Sequence, residues 1–390
     1  ATAALVACGG GGGGDSTGTP SAGMGSLRVA LTDAPSCGYD HVYVTIEKVR
    51  VHQSTTAADA DGGWTELTLS PARRVDLLEL TNGVLEELGT VPLPAGQYSQ
   101  IRLVLASNSD TGTATFANAV QPTGGELTAL STPSAQQSGL KLQAHFDVPA
   151  GQMADVVLDF DACKSVVKAG NSGKYNLKPV IAVVPRVAST VQGFLTTTLS
   201  LTSTTVSVQQ NGVVVRSTTP DATGKFSIPY LPAGTYTVVI SSDGRATTVI
   251  TGVPAGTATT VISATPLAPP ASAMADVTGT VTSTTVSGST TTTVNVTDAI
   301  ASAVQSLTGG PVIALGSQPV DATLATYRFR LPVAAPVKAA YGATPLAFTA
   351  DTAVAGKYAI QVQAPGRANQ EKPADISGGS AATVNFTYGP

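Results

Sequence analysis

Apolar and polar side chains alternate in short runs cut by turn signals, and this pattern constrains the chain more than any other feature. Leu140, Leu142, Ala144 and Phe146 alternate with Lys141, Gln143 and His145. Ile101, Leu103 and Leu105 form a similar run. Val42, Val44 and Ile46 share one phase, whereas Val49 and Val51 fall on the other, which predicts a β-bulge near Glu47-Lys48. A period of two places one face of a strand against a core. Asp61-Gly62-Gly63, Pro94-Ala95-Gly96, Thr123-Gly124-Gly125 and Pro149-Ala150-Gly151 separate the runs as turns. Many short strands at such spacing indicate sandwiches or barrels. Helix signals are sparse: Leu77–Leu88 reads as a short helix or as a hairpin about Asn82-Gly83. The strongest apolar run, Pro179–Pro185, reads as a buried strand and is far shorter than the ~20 residues a membrane helix needs.

Composition narrows the partners. Of 390 residues, 42% are hydrophobic and only 12% charged, with a net charge of −4 and no Lys/Arg cluster. Nucleic-acid binding requires a basic footprint and is not expected. Mean hydropathy is +0.19, against the low hydrophobicity and high charge of disordered chains. The expected fold class is all-β: tandem β-sandwich domains of immunoglobulin or transthyretin type behind a flexible N-terminal tether.

The three cysteines divide into two kinds. Cys8 follows Leu5-Val6-Ala7 and precedes the six glycines Gly9–Gly14 and a Ser/Thr/Gly-rich stretch to Gly23. Leu-Val-Ala-Cys resembles the bacterial lipobox, and Ala1–Ala7 then read as the end of a signal peptide. That resemblance implies lipidation at Cys8 and a membrane partner through the lipid anchor. Gly9, where an Asp marks inner-membrane retention, implies the outer membrane or cell surface. Glycine-rich chain behaves as flexible coil and suits a tether. Cys37, in a turn, and Cys163, after a strand, are expected to form a disulfide in an oxidising compartment, two independent thiols being the alternative. Closing so long a loop contributes roughly 4–5 kcal/mol in the chain-entropy model.

Two resemblances organise the rest. Leu27–Pro35, Val42–Ile46, Trp64 with Leu67, Val75–Leu78 and Leu93–Leu103 occur in the order seen in a bacterial lipoprotein family of unknown function. This resemblance implies a β-rich exported domain over residues 26–188, after a leader and tether at 1–25. Pro220-Asp221-Ala222-Thr223-Gly224-Lys225, then Leu231-Pro232-Ala233-Gly234-Thr235-Tyr236, resembles the carboxypeptidase-regulatory or transthyretin-like sandwich and implies a non-catalytic domain over 189–268. Residues 274–390 read as a divergent repeat of it: Ala355–Val362 parallels Ala233–Ile240, Asp276–Val281 gives an opening strand, and Ala381–Tyr388 closes. Pro266–Ser272 reads as a stiff linker, and repeats in series suggest a rod.

Chemistry-bearing constellations are few. Gly14-Asp15-Ser16-Thr17-Gly18 matches a nucleophile elbow only in letters, lacking the strand before and helix after that strain the serine. Polyglycine matches a dinucleotide fingerprint equally trivially. His41, His52 and His145 have no metal-ligand spacing, and His41 and His145 are expected to face solvent. Asp33, Asp40, Asp159 and Asp161 would gather around a Cys37–Cys163 bridge as a candidate calcium site, solvated turn aspartates being the plainer reading. Trp64 is a candidate sugar platform, with core packing the default. No cofactor and no enzymatic activity are expected, an exported hydrolase being the least favoured alternative. The leading expectation is a surface protein that binds a surface glycan or protein, or plays a structural part. The main alternative is a subunit that self-associates into fibres or a surface layer, with Ala381, Val384, Phe386 and Tyr388 on a candidate donor strand.

Overall fold

The alternating runs are strands, and nearly all regular structure is β. The computed structural model describes residues 23–33, 38–108, 116–132, 138–187, 189–263, 265–287, 290–342 and 345–389. The first domain holds β1 (Met24–Asp33), β2 (Tyr39–His52), β3 (Thr65–Asp76), β4 (Glu86–Pro94), β5 (Gly96–Leu105), β6 (Ala119–Pro122), β7 (Thr128–Ser131), β8 (Leu140–Val148), β9 (Met153–Phe160), β10 (Val166–Ala169), β11 (Lys174–Leu177) and β12 (Ile181–Pro185). One sheet runs β12-β9-β1-β4, the other β10-β11-β7-β6-β2-β5-β8 with β3 also on β2. Between them lies a core that includes fully buried Leu27, Leu31, Ile46, Ile101, Leu103 and Phe160.

Local expectations meet mixed outcomes here. The ladders of β2 with β3 and with β5 both shift register between Ile46 and Lys48, where the apolar phase changes. Leu77–Leu80 is a single 3-10 turn capped by the Asp76 carboxylate, which accepts from the Leu78 N–H at 3.2 Å. Asn82 (φ 62°) and Gly83 (φ 85°) then form a tight turn, but β3 and β4 on its two sides lie in different sheets, so it closes no hairpin. β12 is a half-buried edge strand rather than a buried one, because only β9 flanks it.

The second domain comprises β13 (Thr190–Phe194), β14 (Thr204–Gln210), β15 (Val213–Thr218), β16 (Lys225–Pro229), β17 (Gly234–Ser242), β18 (Thr248–Ala255) and β19 (Thr259–Val261). The third comprises β20 (Met274–Ser287), β21 (Thr290–Asn295), β22 (Ile300–Ser306), β23 (Val312–Pro319), β24 (Thr326–Pro332), β25 (Val337–Ala340), β26 (Thr349–Ala350), β27 (Lys357–Gln363), β28 (Gln370–Asp375), β29 (Ala382–Thr383) and β30 (Phe386–Tyr388). Without β21, β25 and β26 the two topologies coincide. β13 pairs antiparallel with β16 and parallel with β19, as β20 does with β24 and with β29 and β30. The facing sheets run β15-β14-β17-β18 and β23-β22-β27-β28. The strand pairing of the second domain thus recurs among the described residues of the third.

A shared staple fixes the crossing between sheets in all three domains. Tyr98 donates its hydroxyl to the Pro94 carbonyl at 2.9 Å, Tyr236 to Pro232 at 2.7 Å, and Tyr358 to Pro332 at 2.5 Å. The sequences are Leu93-Pro94-Ala95-Gly96-Gln97-Tyr98 and Leu231-Pro232-Ala233-Gly234-Thr235-Tyr236. In the third domain the same motif is split: Leu331-Pro332 is followed only much later by Ala355-Gly356-Lys357-Tyr358. Burial pushes the pKa of all three tyrosine hydroxyls up, keeping them neutral donors.

The rod is not what forms. β25 adds to the second domain's sheet, parallel to β18, so residues assigned to the third unit complete the second. Val239 and Val249 of the second domain pack with Leu307 and Ile313 of the third in a core of their own. A freestanding sandwich would expose these side chains to water, so burying them draws the domains side by side. Nor does Pro266–Ser272 act as a free spacer: Leu267 is buried in the second core and bridges Leu195, and Ala271 bridges Arg245.

Candidate functional site at the junction of three domains

Each domain touches the other two. First and second meet at the Asn82 turn. The Asn82 N–H donates to Thr218 at 2.7 Å, and the Asn82 side-chain carbonyl accepts from the Ser227 N–H. Beside it Arg216, buried, pairs with Asp159 at 3.2 Å and lies 5.6 Å from the Tyr230 ring. Burial pushes the Asp159 carboxyl up, Arg216 opposing. Second and third are joined by buried Gln209, which exchanges two hydrogen bonds with the Ala314 backbone at 2.7 and 2.8 Å. First and third meet where the Gly170 N–H donates to Asp321 and the Ala322 N–H donates to the Lys168 carbonyl, each at 3.1 Å.

Of the clefts left among these contacts, two adjoin Cys163. The larger, about 590 Å³, lies between the first and third domains and is walled by Tyr39, Lys168, Thr278, Gln318, Arg328 and Asn385 among others. Burial and the neighbouring Tyr175 push the Tyr39 hydroxyl up to about 12. The second, about 430 Å³, is walled by all three domains, including Lys164, Ser207, Val213, Leu315 and Gln361. Cys163 lines both clefts and is disulfide-bonded. The walls set hydroxyl and amide side chains such as Thr278, Gln318 and Asn385 among a larger share of apolar surface.

The four aspartates do not form the expected calcium cage. Among the described residues no group of three or more His, Cys, Asp or Glu is placed to hold a metal. Asp33 accepts the Ala162 N–H at 3.0 Å, and Asp40 accepts the Gly124 N–H at 3.1 Å. Asp159 pairs with Arg216, and Asp161 caps the single-turn helix α1 (Ala162–Ser165) and binds Lys164 at 2.7 Å. Turn capping and interdomain pairing use these carboxylates, so their oxygens do not converge.

Trp64 is no open platform. Its indole N–H donates to Ala58 at 2.9 Å, and the Arg50 and Arg102 guanidiniums each lie 4.7 Å from the ring. His145 is exposed, His52 bonds the Gly62 carbonyl at 3.0 Å, and half-buried His41 bonds Asp76. The donor-strand reading of Ala381, Val384, Phe386 and Tyr388 also needs correction. Phe386 is fully buried and Val384 and Tyr388 nearly so, in the chain's own third core. Their strand fills its own sheet and is not a free arm. Cys8, Cys37 and the Gly14–Gly18 motif lie outside the described residues.

The sequence reading missed the junction. One visible trace is the unbroken apolar run Val238-Val239-Ile240, which puts apolar side chains on both faces of β17. A second missed trace is the turn Asp221-Ala222-Thr223, repeated as Asp321-Ala322-Thr323, with the Asp carboxylate accepting from the Thr N–H at 2.9 and 2.8 Å.

Residues 24–179 match the model of a domain of unknown function (DUF4382), and residues 190–265 match that of the carboxypeptidase regulatory-like domain. No curated protein matches the chain. Among solved structures, the Bacillus anthracis TIE protein is 12% identical with a TM-score of 0.18, covering 94% of this chain and 51% of its own. This chain thus spans about half the length of that protein. The minor pilin GBS52 of Streptococcus agalactiae is 10% identical with a TM-score of 0.18, covering 53% of this chain and 85% of its own. The major pilin SpaA of Corynebacterium diphtheriae is 12% identical with a TM-score of 0.16, covering 94% of this chain and 99% of its own. At these scores the likeness has no bearing on function.

Proposed function

We propose that this chain is an exported protein of the outer membrane or cell surface, anchored by lipid on Cys8, with a non-catalytic binding role at the domain junction. The observation that carries the reading is the order of segments: a lipobox-like Leu5-Val6-Ala7-Cys8, a glycine-rich stretch, then β1 at Met24. Stable anchoring takes two or more acyl chains, which a lipobox cysteine receives.

Cys163 adds support, since disulfides persist in oxidising compartments. β1 and β9 run parallel with Asp33 opposite Phe160, so the strands that precede Cys37 and Cys163 in sequence end side by side. Cys37 is therefore the proposed partner. The hydroxyl and amide groups of Thr278, Gln318 and Asn385 beside the Tyr39 ring in the larger cleft support a surface glycan as the proposed ligand.

A Cys8→Ser variant is expected to lose the acyl mass and to leave the membrane fraction. A variant that stays in that fraction with unchanged modification would remove the anchor from the account. For the ligand, a glycan-array signal abolished by Asn385→Ala together with Arg328→Ala supports the cleft; a signal indifferent to both places binding elsewhere.

A further inference from the structure

The long link between β24 and β27 is a strand that the third domain places on the second. It interrupts the Leu-Pro-Ala-Gly-x-Tyr motif between Pro332 and Ala355, yet the Tyr358–Pro332 bond is made as in the uninterrupted domains. The third sandwich is thus closed without it. Within the insertion, β25 lies parallel on β18, with Thr248 opposite Val337 and Thr251 opposite Ala340. The Val337 N–H donates to Thr247 at 2.9 Å and the Tyr341 N–H to Thr251 at 2.8 Å. Tyr341, Leu346 and Phe348 anchor the strap against the second core.

The stretch of β18 beneath it carries little to deter pairing. Where the strap pairs with it, β18 runs Thr248-Val249-Ile250-Thr251, β-branched throughout and uncharged, and Pro254 lies beyond the paired stretch. The equivalent edge of the third domain, β28, carries exposed Glu371, Lys372 and Pro373. Charges and proline guard an edge against further pairing, whereas an uncharged β-branched edge invites it. β18 therefore depends on the strap for cover.

We propose that β18 is a strand-acceptor site and that the chain self-associates by exchanging the 333–354 strap with a second copy. The occupant is the same segment in the same register, so the exchanged and closed forms share their contacts and differ mainly at the hinges. This route is independent of the lipid anchor and replaces the terminal strand as donor.

Two experiments decide it. Deleting residues 333–354 joins Leu331-Pro332 to Ala355-Gly356 and restores the uninterrupted motif. That variant, but not the intact chain, is expected to bind a synthetic peptide of residues 333–351 one to one. The peptide with Ala339→Pro, which removes the central N–H of the ladder, should bind at least about tenfold more weakly, the loss of more than one net hydrogen bond. A folded deletion variant that ignores the peptide overturns the acceptor site. On the intact chain, native mass spectrometry of mixed isotopically labelled copies should give heterodimers after warming toward the unfolding transition. Oxidised Thr248→Cys/Val337→Cys, its strap locked in place, should give none until reduced. Heterodimers formed equally by the locked chain, or none from the unlocked chain, would overturn the exchange even if the deletion variant fails to fold.

Discussion

Gly279→Val is expected to unfold the third domain at neutral pH and to release its C-terminal strand to protease. An added Cβ at Gly279 would fall 1.9 Å from the Val384 carbonyl oxygen and 2.6 Å from the Tyr327 hydroxyl. Neither neighbour can yield cheaply. Val384 is held by its N–H to the Thr278 carbonyl at 2.8 Å, and its own carbonyl accepts from buried Tyr327. Moving it pulls β29 and β30 off β20 and takes Phe386 out of the core. Overpacking costs about 1–3 kcal/mol, and loss of a buried phenylalanine about 3–5, so a loss of at least about 3 kcal/mol is expected. Urea unfolding with proteolysis at the C-terminus measures it. Gly193 holds the corresponding place in the second domain, but there the clash is with the Phe226 ring at 2.6 Å, a side chain that can turn. Gly193→Ala should therefore cost less. A Gly279→Val protein with an unshifted midpoint would contradict this packing.

Arg216→Ala should be the most damaging single change at the domain junction. It takes from the largely desolvated Asp159 its paired counter-charge and leaves only the weaker influence of Lys164. Breaking a buried pair from one side costs about 3–5 kcal/mol, because the remaining charge stays desolvated. Removing both partners, as Arg216→Met with Asp159→Leu, should cost less than either single change. The pH dependence has a definite sign. Burial already raises the Asp159 carboxyl above its ordinary value despite Arg216. A raised folded pKa makes the folded state the better proton acceptor, so its penalty is full above the folded value and fades as pH falls toward the unfolded value near 3.8. Without Arg216 the carboxyl shifts further up. The gap between wild type and Arg216→Ala should therefore be widest at neutral pH and shrink on acidification. Thermal unfolding at several pH values reads it; a gap that widens in acid would contradict the pairing.

What the sequence reveals follows from the range of each interaction. Alternation, phase changes and turn residues act over a few positions, so the strands, the β2 bulge and the Asp221 hairpin are legible there. The repeat is legible because each copy closes its own core with the same Tyr–Pro staple. Contacts between domains leave weaker marks. Val239 and Val249 read as ordinary strand residues, and only the core they share with Leu307 and Ile313 shows that a second domain covers them. Pairing partners are equally hidden: Val337–Ala340 looks like any short strand of the third unit, yet pairs with the second. The aspartates mislead for a related reason, since closeness in a turn does not reveal whether a carboxylate is already engaged by backbone N–H groups.

The central claim is that three sandwiches close on one another around a common junction. Small-angle X-ray scattering of the purified monomer tests it most directly. Closed packing requires a radius of gyration near about 22 Å, close to the scaling for a compact chain of this length. A value near about 30 Å, as three such domains strung in series would give, would contradict it.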